Sequence, residues 1–292
     1  MSSPKIQIVG CNCMKFPQTE LPNGVDASFE FVDWCLNGRQ AEAHSVEVRQ
    51  RLFRRPNGRW RVPPLGALLS SASGSADIRL RMVLFLMLAQ SYRVGTDGLV
   101  LRQADWSKLL GLPLGAQRAS SYRRLGTARA ALQQQSWTRP GPGGLIQLLD
   151  PHTAQPYSPE SQVDTSTRLE NRRGWVALKS ESQARYHPVH WEREPLSIPC
   201  VLWANGWVTE LSAKSLIAYM ILRNHRDPDG LSSVPKIRTH QYAFKADMWP
   251  PAIEQLEDKR LLRTHLIGSS GKAKIYDYEL IETRLYKSAA GK

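Results

Sequence analysis

Apolar and polar positions fall twice along this chain into one order: an apolar helix, a short amphipathic segment, a longer helix with a single apolar stripe, and a glycine-containing pair of strands. The first copy covers about residues 77–149 and the second about 211–282; repetition of one supersecondary unit governs the whole fold. In the first copy Asp77 is read as the cap of an apolar stretch over 78–91, followed by a short amphipathic segment at 102–110 and a long helix over 117–135. Arg118, Tyr122 and Arg129 are read as one face of that helix, because residues three and four apart stack, and Leu125, Ala128 and Leu132 as the opposite, core-facing set. Residues 137–149 are broken by Pro140, Gly141, Pro142, Gly143 and Gly144, which predicts a hairpin. In the second copy Ser212 precedes a helix over 213–224, 236–244 is the short segment, and Asp247 is read as the cap of a helix running to about 260. Pro250 and Pro251 suit its first turn, where amides lack intrahelical partners. Strands at 262–267 and 274–281 then flank Gly268-Ser269-Ser270-Gly271.

The rest of the chain is less periodic. Phe29-Glu30-Phe31-Val32-Asp33-Trp34 alternates as a strand does, and 45–53 and 59–62 flank the turn signal Pro56-Asn57-Gly58, consistent with a hairpin. Arg49, Arg51, Arg54, Arg55, Arg59 and Arg61 cluster there. Such a ribbon could lie along phosphates or enter a minor groove, and a solvated edge strand explains the same residues equally well. Residues 68–75 read as a joint, and 151–172 as a linker rich in Pro, Ser, Thr and Gln. Short strands are expected at 175–178 and 186–191, and an apolar segment at 201–208. The expected organisation is α+β: a β-rich extension over 1–76, a first unit over 77–149, a linker over 150–196, a second unit over 197–285 and a tail over 286–292.

A length of 292 residues accommodates two domains with their own cores. No apolar run reaches the roughly 18–20 residues of a membrane span, and the N-terminus lacks a charged region followed by an apolar one, so a cytoplasmic protein is expected, with no membrane partner. Cys11, Cys13, Cys35 and Cys200 are too few and too scattered for a disulfide framework or a four-ligand zinc site, so no metal or cofactor is expected. The net charge is +13, and its distribution is informative. Residues 77–149 hold ten Lys and Arg against three Asp and Glu, a net +7, whereas 197–285 hold twelve against ten, a net +2. A basic surface attracts polyanions, nucleic acid above all.

Three helices followed by a β-ribbon resemble a winged helix-turn-helix, here twice in tandem. Leu211-Ser212-Ala213-Lys214-Ser215-Leu216 looks like the opening helix of many bacterial winged helices, and residues 253–262, Ile-Glu-Gln-Leu-Glu-Asp-Lys-Arg-Leu-Leu, like a third helix leading into a wing. Over roughly 77–285 the chain resembles tandem winged-helix plasmid replication initiators. That resemblance implies binding of double-stranded DNA at repeated sites, with one unit available for homodimer formation or for a replication or transcription protein partner. Transcription regulators share the same parts. In such units the third helix enters the major groove and the wing touches backbone or minor groove. On the first unit this implies contacts from Gln117, Arg118, Ser120, Ser121, Tyr122, Arg123, Arg124 and Arg129, with Lys108 and Arg139 as phosphate clamps. On the second it implies Arg238, Lys245, Lys272 and Lys274, with Trp249 either at the helix tip or in the core. Glu254, Glu257 and Asp258 oppose phosphate there, and with Trp203 and Trp207 as exposed aromatic candidates they raise the alternative of a non-catalytic assembly subunit that uses its winged helices to dock proteins.

Catalytic readings are weaker, and the chain is expected not to be an enzyme. Gly268-Ser269-Ser270-Gly271-Lys272 is too short for a phosphate-binding loop and is followed by Ala273. His187-Pro188-Val189-His190 has the wrong spacing for a nickase metal pair, and no carboxylate cluster suggests a two-metal nuclease.

Overall fold

The computed structural model describes residues 25–54, 62–70, 76–92, 99, 101–135, 137–140, 146–149, 195–227, 229–232, 240–270 and 273–289. Its first element, α1 (Val25–Leu36), buries Ala27, Phe31, Val32, Cys35 and Leu36, steps of four, one, three and one that follow the helical period. The alternation at 29–34 is a six-residue sample of that longer pattern, so the expected strand is a helix. β1 (Ser45–Val48) does form, but it pairs antiparallel with the distant β4 (Leu196–Pro199), Val46 lying opposite Ile198. Where the expected hairpin would continue there is a helical turn, α2 (Gln50–Phe53), followed by α3 (Pro64–Ser70). Over its described residues the N-terminal segment is therefore mainly helical. Pro56-Asn57-Gly58 lies outside the described residues, as do the strands expected at 175–178 and 186–191.

At the centre runs α4 (Ala76–Tyr92), whose residues from Met82 to Gln90 are all buried. A helix covered on every side belongs inside a core, and Phe31 of α1 meets Phe85 of α4 edge to face at 5.5 Å. α5 (Gln103–Leu109) and α6 (Arg118–Gln133) follow, then the paired strands β2 (Thr138–Pro140) and β3 (Ile146–Leu148). The apolar segment at 201–208 folds as two short helices, α7 (Val201–Ala204) and α8 (Trp207–Glu210), with Gly206 between them at φ +77°. Trp203 and Trp207 are fully buried, which corrects their reading as exposed aromatics. The Trp207 indole N–H donates to the carbonyls of Leu285 and Lys287 at 3.2 and 3.1 Å, docking the C-terminal segment.

The second unit runs α9 (Ala213–Asn224), β5 (Leu231–Ser232), two 3-10 turns (His240–Tyr242 and Ala246–Met248), α10 (Trp249–Asp258), β6 (Leu262–Ser270) and β7 (Ala273–Leu280). Its antiparallel sheet has the order β5-β7-β6. Ser212, read only as preceding this helix, caps α9, its hydroxyl accepting from the Ser215 amide. Asp247 instead sits inside a 3-10 turn, and α10 has no side-chain cap. Asp77 lies within α4, and its carboxylate accepts from the Ala213 amide at 2.6 Å, so it caps the opening of α9 across 136 residues of chain. One helical turn along α4, Arg81 donates to the Leu110 carbonyl at 3.1 Å and to the Leu211 carbonyl at 3.2 Å. A single guanidinium thus ties α4 to the ends of α5 and α8. The fold is α+β, helices with small antiparallel sheets, around one continuous buried cluster that extends from Ala27 to Ala289.

Candidate nucleic-acid interface

The surface of interest is built on α6. Gly115 at φ +75° opens the 3-10 turn Gly115–Gln117 that leads into it. Ser121, Leu125, Ala128 and Leu132, spaced four, three and four apart, are buried and fix the helix against the core. At about 100° per residue, Arg123 stands nearly opposite that buried stripe, with Ala119, Gly126 and Ala130 exposed beside it. Ser120 and Arg124 border this arc on one side and Arg118 on the other. Between Asp105 and Asp150 the sequence contains no acidic residue.

The expected contact residues divide on this frame. Gln117, Arg118, Ser120, Arg123 and Arg124 are exposed together at the first two turns of α6. The Arg118 Nε donates to the Tyr122 hydroxyl at 2.9 Å, and its guanidinium carbon lies 5.1 Å from the centre of the Tyr122 ring. That pairing holds one cation in a defined direction. Ser121 is turned inward, and its hydroxyl donates to the Pro113 carbonyl, so it is a structural residue and not a contact. At about 100° per residue, Arg118, Tyr122 and Arg129 adjoin the buried stripe and do not oppose it. Tyr122, Arg129 and Lys108 are half-buried, while Arg139 is exposed on β2 opposite Gln147. Desolvation lowers the pKa of Arg81 behind this surface; Asp77 and Glu210 act in the other direction, and Arg124 adds to the lowering.

On the second unit, Ala252, Ile253 and Leu256 anchor α10 and leave Glu254, Glu257 and Asp258 exposed. Trp249 is half-buried, edge to face with Phe244 and Tyr278, and its indole donates to the Tyr278 hydroxyl at 3.1 Å. Its role is packing. Lys245 is exposed ahead of the second 3-10 turn, Lys274 stands in β7 opposite Ser269, and Arg238 and Lys272 lie outside the described residues. On the hairpin, Glu279 accepts from Arg263 at 3.1 Å and pairs with His265 at 3.0 Å. The His265 hydrogen bond holds the Glu279 carboxyl below its usual range; desolvation opposes this and the Arg263 charge assists it.

One group escaped the reading of the sequence. Leu266, Ile267 and Ile275 are exposed midway along the hairpin, by 60, 57 and 42%, with Ser269 paired to Lys274 and Ser270 to Ala273 beyond them. Their signal was the adjacent Leu-Ile pair beside a Gly-Ser-Ser-Gly turn, which breaks strand alternation. Among the described residues no group of three His, Cys, Asp or Glu side chains could hold a metal, and no helix is long and apolar enough to cross a membrane. No protein-family profile, curated protein or solved structure matches this chain.

Proposed function

We propose that this chain binds duplex DNA through two winged-helix units, the first supplying most of the affinity, in replication initiation or transcriptional control of a bacterial plasmid or mobile element. The observation that carries the reading is the start of α6, where Arg118, Ser120, Arg123 and Arg124 are exposed in a stretch without acidic residues. A helix carrying guanidinium groups and small neighbours fits a major groove, where arginine bonds guanine O6 and N7 together. The second unit supports the same reading through its order of helix, strand, helical turns, helix and two strands, with β5-β7-β6 pairing. The chemistry is binding, with no catalytic step.

Fluorescence-anisotropy titration of a labelled duplex tests the division of labour. The triple variant R118A/R123A/R124A is expected to lose far more affinity than K272A/K274A. A base-reading arginine is worth about 1–3 kcal/mol, and a phosphate-contacting lysine lowers affinity evenly across sequences. Equal losses would make the two units a joint clamp, and a larger loss from the lysines would overturn the assignment to α6. The acidic outer face of α10 favours a second reading, a non-catalytic assembly subunit that docks proteins, which a stoichiometric protein partner together with absent DNA binding would support.

A further inference from the structure

The three exposed arginines of α6 stand in different directions. Arg123 points away from the buried stripe, and around the helix Arg118 is turned about 140° from it one way and Arg124 about 100° the other way. The two flanking arginines therefore lie on opposite edges of the helix, back toward the body of the protein. The Arg118 guanidinium is held by the Tyr122 hydroxyl at 2.9 Å, whereas those of Arg123 and Arg124 have neither a hydrogen bond nor an ion pair among the described residues. Within α6, every residue less than a quarter turn from Arg123 is small: Ala119, Ser120, Gly126, Thr127 and Ala130, all exposed. Glycine is unfavourable inside a helix relative to alanine, yet a Cβ added at Gly126 meets nothing within 4 Å. The fold makes no use of the missing side chain, so its effect falls on whatever approaches α6 from outside.

We infer that Arg123 is the residue of α6 that reads sequence, through a two-pronged bond from its guanidinium to O6 and N7 of one guanine, and that Arg118 and Arg124 grip phosphates on the two sides of the groove. The inference rests on the duplex-binding reading above and deepens it by naming the residue that sets specificity. A helix with its side chains is about 10–12 Å across and the major groove about 12 Å wide. Hydrogen, methyl and hydroxymethyl-sized groups around Arg123 let the backbone of α6 sink until one long side chain meets base edges, a close approach for which glycine is suited. A guanidinium has donors only, and in the major groove guanine alone offers two acceptors side by side. Arginines on the edges of the helix face the groove walls, where phosphate contacts fix orientation without carrying sequence.

Selection from a pool of duplexes randomised over about one helical turn gives the preferred sequence. Anisotropy titration then compares that duplex with versions in which each G·C pair in turn is replaced by A·T. Wild type is expected to prefer one guanine by about five- to 150-fold, and R123A should bind the duplexes with and without it alike, at the weaker affinity. R118A and R124A should keep the preference, bind every duplex more weakly, and each make the salt slope shallower by about 0.9. G126Q should melt no lower than wild type, because glutamine is the better helix former, and yet lose the preference as R123A does. Discrimination that survives in R123A or G126Q, or that disappears in R118A or R124A instead, would overturn the assignment and leave duplex binding standing. Salt-dependent binding by wild type with no preferred base, or with a preferred base other than guanine at the position that depends on Arg123, would do the same. Absence of salt-dependent binding would overturn both readings.

Discussion

Replacing Arg81 by Met removes the charged group that ties α4 to the ends of α5 and α8 and keeps most of the apolar stem. Two bonds are lost, to the carbonyls of Leu110 and Leu211 at 3.1 and 3.2 Å. Bonds from a charged donor are worth about 1.5–3 kcal/mol each. Burial already weighs against the guanidinium, as its lowered pKa indicates, so part of that sum is returned on removal. A net loss of about 3 kcal/mol follows. For a chain of 292 residues it corresponds to a fall of about 5 °C in Tm. Differential scanning calorimetry gives the reading directly, and the wild type should unfold in one transition because its core is continuous. Asp77 acts on the same joint, raising the Arg81 pKa from one turn away and capping α9, so D77A/R81M should lose less than the two single variants together. A loss below about 1 kcal/mol for R81M, or strict additivity with D77A, would refute the account of this joint.

Gly66→Ala should be disruptive, because an added Cβ would lie 2.4 Å from the Tyr242 carbonyl oxygen and 2.9 Å from the Ala243 Cβ; a stability loss of about 1–3 kcal/mol in urea titration is expected, and a neutral variant would show that α3 does not seat against this turn. Glu279 has a depressed folded pKa, so its contribution is complete above the ordinary carboxylate range and is lost as pH falls through the folded value; Glu279→Gln should flatten that acid limb in thermal melts, and an unchanged limb would contradict the hairpin pairing. Cys200 is buried and its thiol is pushed up to about 12, chiefly by desolvation. It should resist alkylation at pH 8 in folded protein and react once unfolded, as read by peptide mass spectrometry, and rapid native labelling would refute its placement.

What could be read in advance was local. The apolar run that became α4, the stripe of Leu125, Ala128 and Leu132 on α6 and the long hairpin each follow from neighbours within two helical turns or across one turn. What failed depended on distant partners. β1 found Leu196–Pro199 instead of the nearby segment, and no pattern in either strand names the other. Asp77 looked like the cap of its own helix and caps another. Trp203 and Trp207 sit four apart, a spacing that fixes a shared face but not whether solvent or core meets it. Ser121 shares the polarity of Ser120 and differs only in angle around α6, where it joins the buried stripe. Basic residues were legible as a charge excess, and their grouping at the start of α6 required the helix to be placed.

The central claim, that α6 meets duplex DNA, is tested most directly by the slope of log affinity against log salt for wild type and R118A/R123A/R124A on one duplex. Each neutralised phosphate adds about −0.9 to the slope. The account predicts a steep negative slope for the wild type, shallower by about two to three in the variant if each arginine neutralises a phosphate in addition to any base it reads. Wild-type binding independent of salt, or a slope left unchanged by removing all three arginines, would contradict it.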